Sequence, residues 1–242
     1  MLILGINTAS KTASTAVMDS ENFKILAEMK TNGRLSHSES LMPMIDATLQ
    51  CAGVALCEIE LFAVAEGPGS FTGIRIGIAT TKGLAFGSSL VNCVGVSSLC
   101  ALAYNFYGFY GYDEHSDLLI LPAIDARRKQ VYNAIFENLE KLECIRPDRI
   151  ITTGELEEEL NLEFAGRKIA FVGDGAKLCQ SEINFSGIIV QIPEMLHLPS
   201  AASVCRAAYE EYKKSGAAHP RELAPAYLIK TQAEREYDEN KQ

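Results

Sequence analysis

The chain lacks the residue patterns on which most hydrolytic and metal-dependent chemistry is built. Its seven cysteines (Cys51, Cys57, Cys93, Cys100, Cys144, Cys179 and Cys205) form no C-x-x-C pair. Their spacing does not read as a zinc site, and an odd number of thiols in apolar surroundings points to core positions in a reducing compartment. The four histidines, His37, His115, His197 and His219, show neither H-x-x-x-H nor H-E-x-x-H spacing, so no local metal pair is expected. No G-x-S-x-G elbow surrounds a serine, because Ser70 has Pro68 and Thr72 where that motif needs glycines. Positive charge is also short. The net charge of −9 and pI near 5.0 have the wrong sign for a chain that holds nucleic acid unaided. Met1-Leu2-Ile3-Leu4-Gly5-Ile6-Asn7 carries no basic leader. Gly83 to Tyr104 is uncharged over 22 residues, but Gly87-Ser88-Ser89, Asn92, Gly95 and Ser97-Ser98 break it. A cytoplasmic protein without a membrane span is the expectation.

What is present begins with Gly67-Pro68-Gly69-Ser70-Phe71-Thr72-Gly73-Ile74-Arg75-Ile76-Gly77-Ile78-Ala79, a glycine-rich turn that feeds into a helix. A phosphate-cradling Walker loop would put a lysine and a hydroxyl after its last glycine, where this chain has Ile74 and Arg75. The dinucleotide pattern G-x-G-x-x-G fails because Gly67, Gly69 and Gly73 are one residue too widely spaced. Close helix packing remains. Gly73 and Gly77 flatten one side, which Ile76, Thr80 and Leu84 extend, while Ile74, Ile78, Thr81 and Ala85 form a second apolar stripe. Burying one isoleucine is worth roughly 1.5–3 kcal/mol, against a total domain stability of about 5–15 kcal/mol. A wet second stripe would forfeit much of that margin. Either the chain covers both stripes itself or a partner protein covers one.

At 242 residues and 48% hydrophobic, the chain is long enough for one large or two modest cores. Leu2–Ile6, Thr15–Asp19 and Phe23–Lys30 read as strands, with Ser20-Glu21-Asn22 as a turn. Ser36-His37-Ser38-Glu39 is a capping box that opens a helix to Gly53, with Leu41, Met44, Ile45, Leu49 and Ala52 at helical spacing. A strand at Leu61–Ala65, the glycine-turn helix, a strand at Val91–Val96 and a helix from Ser97 follow. That order is the ribonuclease-H-like α/β layout. It recurs: Leu118–Ile124 ends at Asp125 as Leu2–Ile6 ends at Asn7, and at an offset of 118 residues Ala16–Asp19 lies over Ala134–Glu137. A helix at Glu155–Leu160 and strands at Ile169–Val172 and Ile188–Ile192 continue a reduced second copy, and Ser200–Lys214 reads as a final helix. The fold class is therefore α/β, two tandem ribonuclease-H-like domains of the actin/hexokinase/Hsp70 kind, the second smaller. Their expected extents are 1–106 and 107–218, with a tail over 219–242 that is disordered in part, Ala233–Gln242 being strongly polar.

On these residues the chain resembles the TsaB family, also called YeaZ. The resemblance rests on Gly67–Gly77, on His37-Ser38-Glu39-Ser40-Leu41-Met42-Pro43, on Ile124-Asp125-Ala126-Arg127-Arg128 with Val131-Tyr132, on Gly173-Asp174-Gly175-Ala176 and on Pro225-Ala226-Tyr227-Leu228. It implies a non-catalytic partner that binds and activates TsaD, the paralogue that transfers threonylcarbamoyl to adenosine 37 of tRNA with a metal held by two histidines. It further implies that the ATPase TsaE joins a larger complex, that tRNA is met only through the complex, and that ATP and metal belong to the partners. This chain would itself need no cofactor and hold no metal. Pairing through His37–Ala52 and Ser70–Phe86 is implied, and there the expected interface residues are Glu39, Leu41, Met42, Ile45, Leu49, Gly73, Ile74, Gly77, Ile78, Thr81 and Ala85. Alone, the same helices would make a homodimer.

The competing expectation is an ATP-dependent phosphotransferase or ATPase, since this fold commonly holds nucleotide between its lobes. Such sites end the first strand of each lobe in an aspartate that orders magnesium, and the first lobe here has the neutral Asn7, where the family usually has aspartate. Asn7, Thr8, Ser10, Asp125, Gly173 and Gly175 would then line a vestigial nucleotide site.

Overall fold

In a computed structural model, residues 1–32, 36–88, 92–110, 118–138 and 141–228 are described. Apolar β-branched runs give a first sheet from β1 (Leu2–Asn7), β2 (Ala13–Asp19), β3 (Lys24–Thr31), β4 (Leu61–Gly67) and β5 (Cys93–Ser97). Its spatial order is β3-β2-β1-β4-β5, with β1 antiparallel to β2 and parallel to β4. A second sheet holds β6 (Leu118–Arg127), β7 (Gln130–Asn138), β8 (Leu142–Thr152), β9 (Lys168–Val172) and β10 (Ile188–Ile189) in the order β10-β9-β6-β7-β8. Read from the opposite edge, the two orders coincide element for element. The repeat foreseen in the sequence is thus a repeat of topology.

Its register is not a copy. Gly5 faces Ala16 in the first hairpin, so the 118-residue offset would set Ala123 against Ala134, whereas Ala123 faces Asn133. β6 also runs past Asp125 to Arg127, because the β6–β7 turn is tight, with Arg127, Arg128 and Lys129 all at positive φ. β8, which carries charges and Pro147 in its middle, and the short α5 (Ala176–Glu182) had no clear periodic signal.

The remaining helices are α1 (His37–Ala52), α2 (Phe71–Phe86), α3 (Ser98–Tyr110), α4 (Thr153–Glu163) and α6 (Ala201–Ser215). At the start of α1 the Glu39 carboxylate accepts both the amide and the hydroxyl of Ser36, at 3.0 and 2.6 Å, while the Glu39 amide donates to the Ser36 carbonyl at 3.1 Å. α1 and α2 lie side by side over the first sheet, α1 against β2 and β3 and α2 against β4. Successive residues of β6 separate the faces of the second sheet. Leu119, Leu121 and Ala123 meet Leu156 and Leu160 of α4, while Leu118 and Ile120 meet Leu99, Leu102 and Phe106 of α3.

Two helices pack across the repeats. α6 falls within 107–218, yet Val204, Cys205, Ala207 and Ala208 are buried in the first core beneath β1 and β2. Gly5 admits it: a Cβ there would lie 2.5 Å from the Cys205 sulfur. α3 is exchanged in return, carrying Leu99 and Phe106 from the end of the first repeat onto the second sheet. Each repeat gives its last helix to the other, and α3 and α6 meet between the sheets. The first residues of the expected tail pack on the first lobe. Leu223 is buried in the first core and Ala226 donates its amide to the Glu66 carbonyl at 2.8 Å. The expectation of disorder over Ala233–Gln242 lies outside the described residues.

Candidate functional site

The glycine turn serves contact between backbones. Ser70 caps α2 by accepting the Gly73 amide at 3.2 Å. The Thr8 hydroxyl donates to the Gly73 carbonyl at 2.7 Å. A Cβ at Gly73 would overlap the Thr8 carbonyl oxygen, and one at Gly77 would overlap the Thr8 hydroxyl. Both glycines let α2 settle onto the loop after β1, and neither faces outward.

Most of the residues expected at the interface lie inside the fold. Ile74 and Ile78 are 1% and 4% exposed, packed in the first core with Ala85 and with Leu41, Ile45 and Leu49 of α1. Thr81 is buried and returns its hydroxyl to the Gly77 carbonyl at 2.9 Å. With Gly73 and Gly77, these residues are roofed by the chain itself, because the stripe that meets β4 is the one at 74, 78, 81 and 85. Of the expected set only Glu39 and Met42 are exposed. Glu39 is engaged in its cap, where bonds from the Ser36 hydroxyl and amide hold its carboxyl below the usual range.

α2 nevertheless keeps an open face. Phe71, Arg75, Ala79 and Gly83, each four residues apart, are exposed, with Ile76, Thr80 and Leu84 half-buried beside them. Met42, Pro43, Asp46 and Gln50 continue the surface on α1. The sequence reading left Phe71 and Ala79 out of the interface set and weighed Gly83 only with the glycines now buried, although 71, 75, 79 and 83 recur at a spacing of four. Gly83 differs in kind from the buried glycines: a Cβ there would have none of the described residues within 4 Å.

Between the lobes lies a cavity of about 240 Å³, lined in part by Asn7, Lys11, Ser98, Ile124, Asp174 and His197. The nucleotide-site residues do not converge on it as a set. Asn7 reaches it, but its side-chain oxygen already accepts the Ala9 amide at 3.1 Å. Thr8 turns away to α2. Ser10 also lines the cavity, and its hydroxyl accepts the Thr12 amide at 3.0 Å. Asp125 accepts the Arg127 amide at 2.7 Å, bracing its own hairpin. Gly173 and Gly175 sit against the Ala123 carbonyl, which accepts the Gly175 amide at 3.0 Å. The carboxylate of this cavity is Asp174, between those glycines, whose side chain accepts the Asp125 amide at 3.1 Å; an adjoining cleft of about 820 Å³ is lined by Ser10, Asp125 and Asp174 together. Burial, and secondarily the Asp125 charge, pushes its carboxyl up, while burial pulls the His197 imidazole down. Among the described residues no three His, Cys, Asp or Glu side chains converge to hold a metal ion.

A family model described as "TsaD: tRNA N6-adenosine threonylcarbamoyltransferase" matches residues 24–237. The tRNA threonylcarbamoyladenosine biosynthesis protein TsaB of Bacillus subtilis is 31% identical, over 99% of this chain and 99% of that protein. Among solved structures, YeaZ from Pseudomonas aeruginosa superposes with a TM-score of 0.75 at 22% identity, covering 94% of this chain and 99% of that one. A putative N-acetylmannosamine kinase from Listeria monocytogenes reaches a TM-score of 0.51 at 11% identity, over 88% of this chain and 99% of that one. At those identities the two structures establish a shared fold.

Proposed function

The chain belongs to the TsaB family, and from that premise we propose that it serves threonylcarbamoyladenosine formation in tRNA as a non-catalytic subunit. In this reading it binds TsaD through the outer face of α1 and α2 and thereby activates threonylcarbamoyl transfer to adenosine 37. The observation that carries the proposal is Gly83. A glycine inside a helix costs roughly 0.5–1 kcal/mol relative to alanine. Gly73 and Gly77 repay that cost inside the fold, whereas among the described residues the space at Gly83 is open. A flat outer surface has value to a second backbone that approaches it closely, as a helix of TsaD would. Ala79, Thr80 and Ile76 extend that surface with small or apolar side chains.

The net charge of −9 fits a subunit that leaves tRNA binding to its partners. ATP and the metal would be handled by TsaE and TsaD, within a cytoplasmic complex. Among the described residues no helix is long and apolar enough to cross a membrane. In the absence of TsaD, the same face would join two copies of this chain. A phosphotransferase or ATPase reading would need a charged magnesium-ordering group where Asn7 stands, and Asn7 is tied into its own turn.

Reconstitution tests the reading. TsaD, TsaE, tRNA, ATP and the remaining components, with this chain present or omitted, are scored for threonylcarbamoyladenosine. Loss of product on omission supports it, and full product without this chain overturns it.

A further inference from the structure

The residues after α6 form a strap that reaches the partner face. Cys93 and Ala218 exchange backbone hydrogen bonds at 3.1 and 2.8 Å, Leu223 is buried in the first core, and the Ala226 amide bonds to Glu66. Gly67 lets the strap cross, since a Cβ there would stand 2.7 Å from the Ala226 oxygen. So anchored, the strap lays Tyr227 on the first turn of α2. The Tyr227 and Phe71 rings stack with centroids 5.0 Å apart and planes 22° from parallel. The Arg75 guanidinium lies 3.9 Å from the Phe71 centroid, and its Nε donates to the Tyr227 hydroxyl at 2.7 Å.

This cluster is ordered like a core and placed like a surface. Phe71, Tyr227 and Leu228 are 44%, 38% and 37% exposed. Arg75 is exposed, and among the described residues it has no carboxylate partner. Aromatic and arginine side chains dominate binding hot spots, and side chains already locked together lose little rotamer freedom when a partner arrives. Phe71 and Arg75 also head the exposed stripe that runs on through Ala79 to Gly83.

We propose that the strap residues Tyr227 and Leu228, held by Phe71 and Arg75, form the bulky end of the TsaD-binding surface. The fit is to a TsaD helix that crosses the flat Ala79–Gly83 end and offers a carboxylate to Arg75. The inference takes its partner from the reading above.

Two measurements on the full chain with full-length TsaD test it. In the first, calorimetric affinity is compared for the parent, Gly83→Arg and Tyr227→Ala, each with an unchanged melting temperature. Weakening of at least about tenfold by Tyr227→Ala supports the inference. An affinity within about twofold of the parent overturns it, whatever Gly83→Arg does. Binding unaffected by Gly83→Arg counts separately, against the flat-face reading. In the second, the photo-crosslinker benzoylphenylalanine replaces Leu228 or, as a reference, Ala79. Capture of TsaD from position 228 supports the inference. Capture from 79 but not from 228, or capture of a second copy of this chain from 228 with TsaD present, overturns it.

Discussion

The Thr8 hydroxyl donates to the Gly73 carbonyl at 2.7 Å, tying the loop after β1 to the first turn of α2. That contact fixes how deep α2 sits, and so which of its stripes is buried and which is left for a partner.

Two glycines of one helix should therefore answer differently to the same methyl group. Gly77→Ala forces a Cβ onto the Thr8 hydroxyl and should destabilise the isolated chain by about 1–3 kcal/mol. Gly83→Ala enters open space and should stabilise it by about 0.5–1 kcal/mol. Urea denaturation of both variants checks the pair. Destabilisation by Gly83→Ala would mean that the chain covers this position itself.

Ile74 and Ile78 belong to the core, so changes there act on folding before they act on any partner. Ile78→Ala should cost about 2–5 kcal/mol in the isolated chain, read as a lower denaturation midpoint with the slope unchanged. A midpoint equal to the parent's would move Ile78 back to the surface.

Glu66 carries a pH signature. Its carboxyl is pushed up chiefly by burial and further by the Asp148 and Glu211 charges; Asp148 is raised by burial and lowered in part by the Ser97 hydroxyl, which donates at 2.6 Å. A carboxyl raised in the folded state stabilises the protein while protonated, and that contribution is lost as pH rises through its folded pKa. Glu66→Gln should therefore be more stable than the parent at about pH 7 and equal to it at about pH 4. Thermal melts across that range decide, and a gain confined to acid would refute the burial account.

The inter-lobe cleft predicts little nucleotide chemistry in the isolated chain. Titration with Mg-ATP should give no micromolar binding and no turnover, because Asn7 and Asp125 are committed to local turns. Micromolar affinity with phosphate release would reinstate an enzyme.

The architecture was legible in the sequence because alternating apolar strands and capped helices advertise themselves locally. The same patterns gave the capping box at Ser36 and Glu39 and the doubled strand order. The exchange of α3 and α6 between sheets was not legible, since no local pattern records which sheet an amphipathic helix will cover. The site was half legible. Two stripes on α2 were visible, but which one met β4 depended on Thr8, a residue 65 positions away from Gly73. Gly83 could be weighed only once the space around it was known. Asp174 and His197 face the cleft from different elements and share no spacing that a linear reading could find.

The central claim is that the outer stripe of α2 is the TsaD-binding face. Its most direct measurement is gel filtration of TsaD with equimolar Gly83→Arg, a substitution at a position where a Cβ meets none of the described residues within 4 Å. The account predicts that the parent co-elutes with TsaD, and that Gly83→Arg elutes apart from it as a folded protein with the parent's circular dichroism. Co-elution of Gly83→Arg with TsaD at the parent's affinity would contradict it.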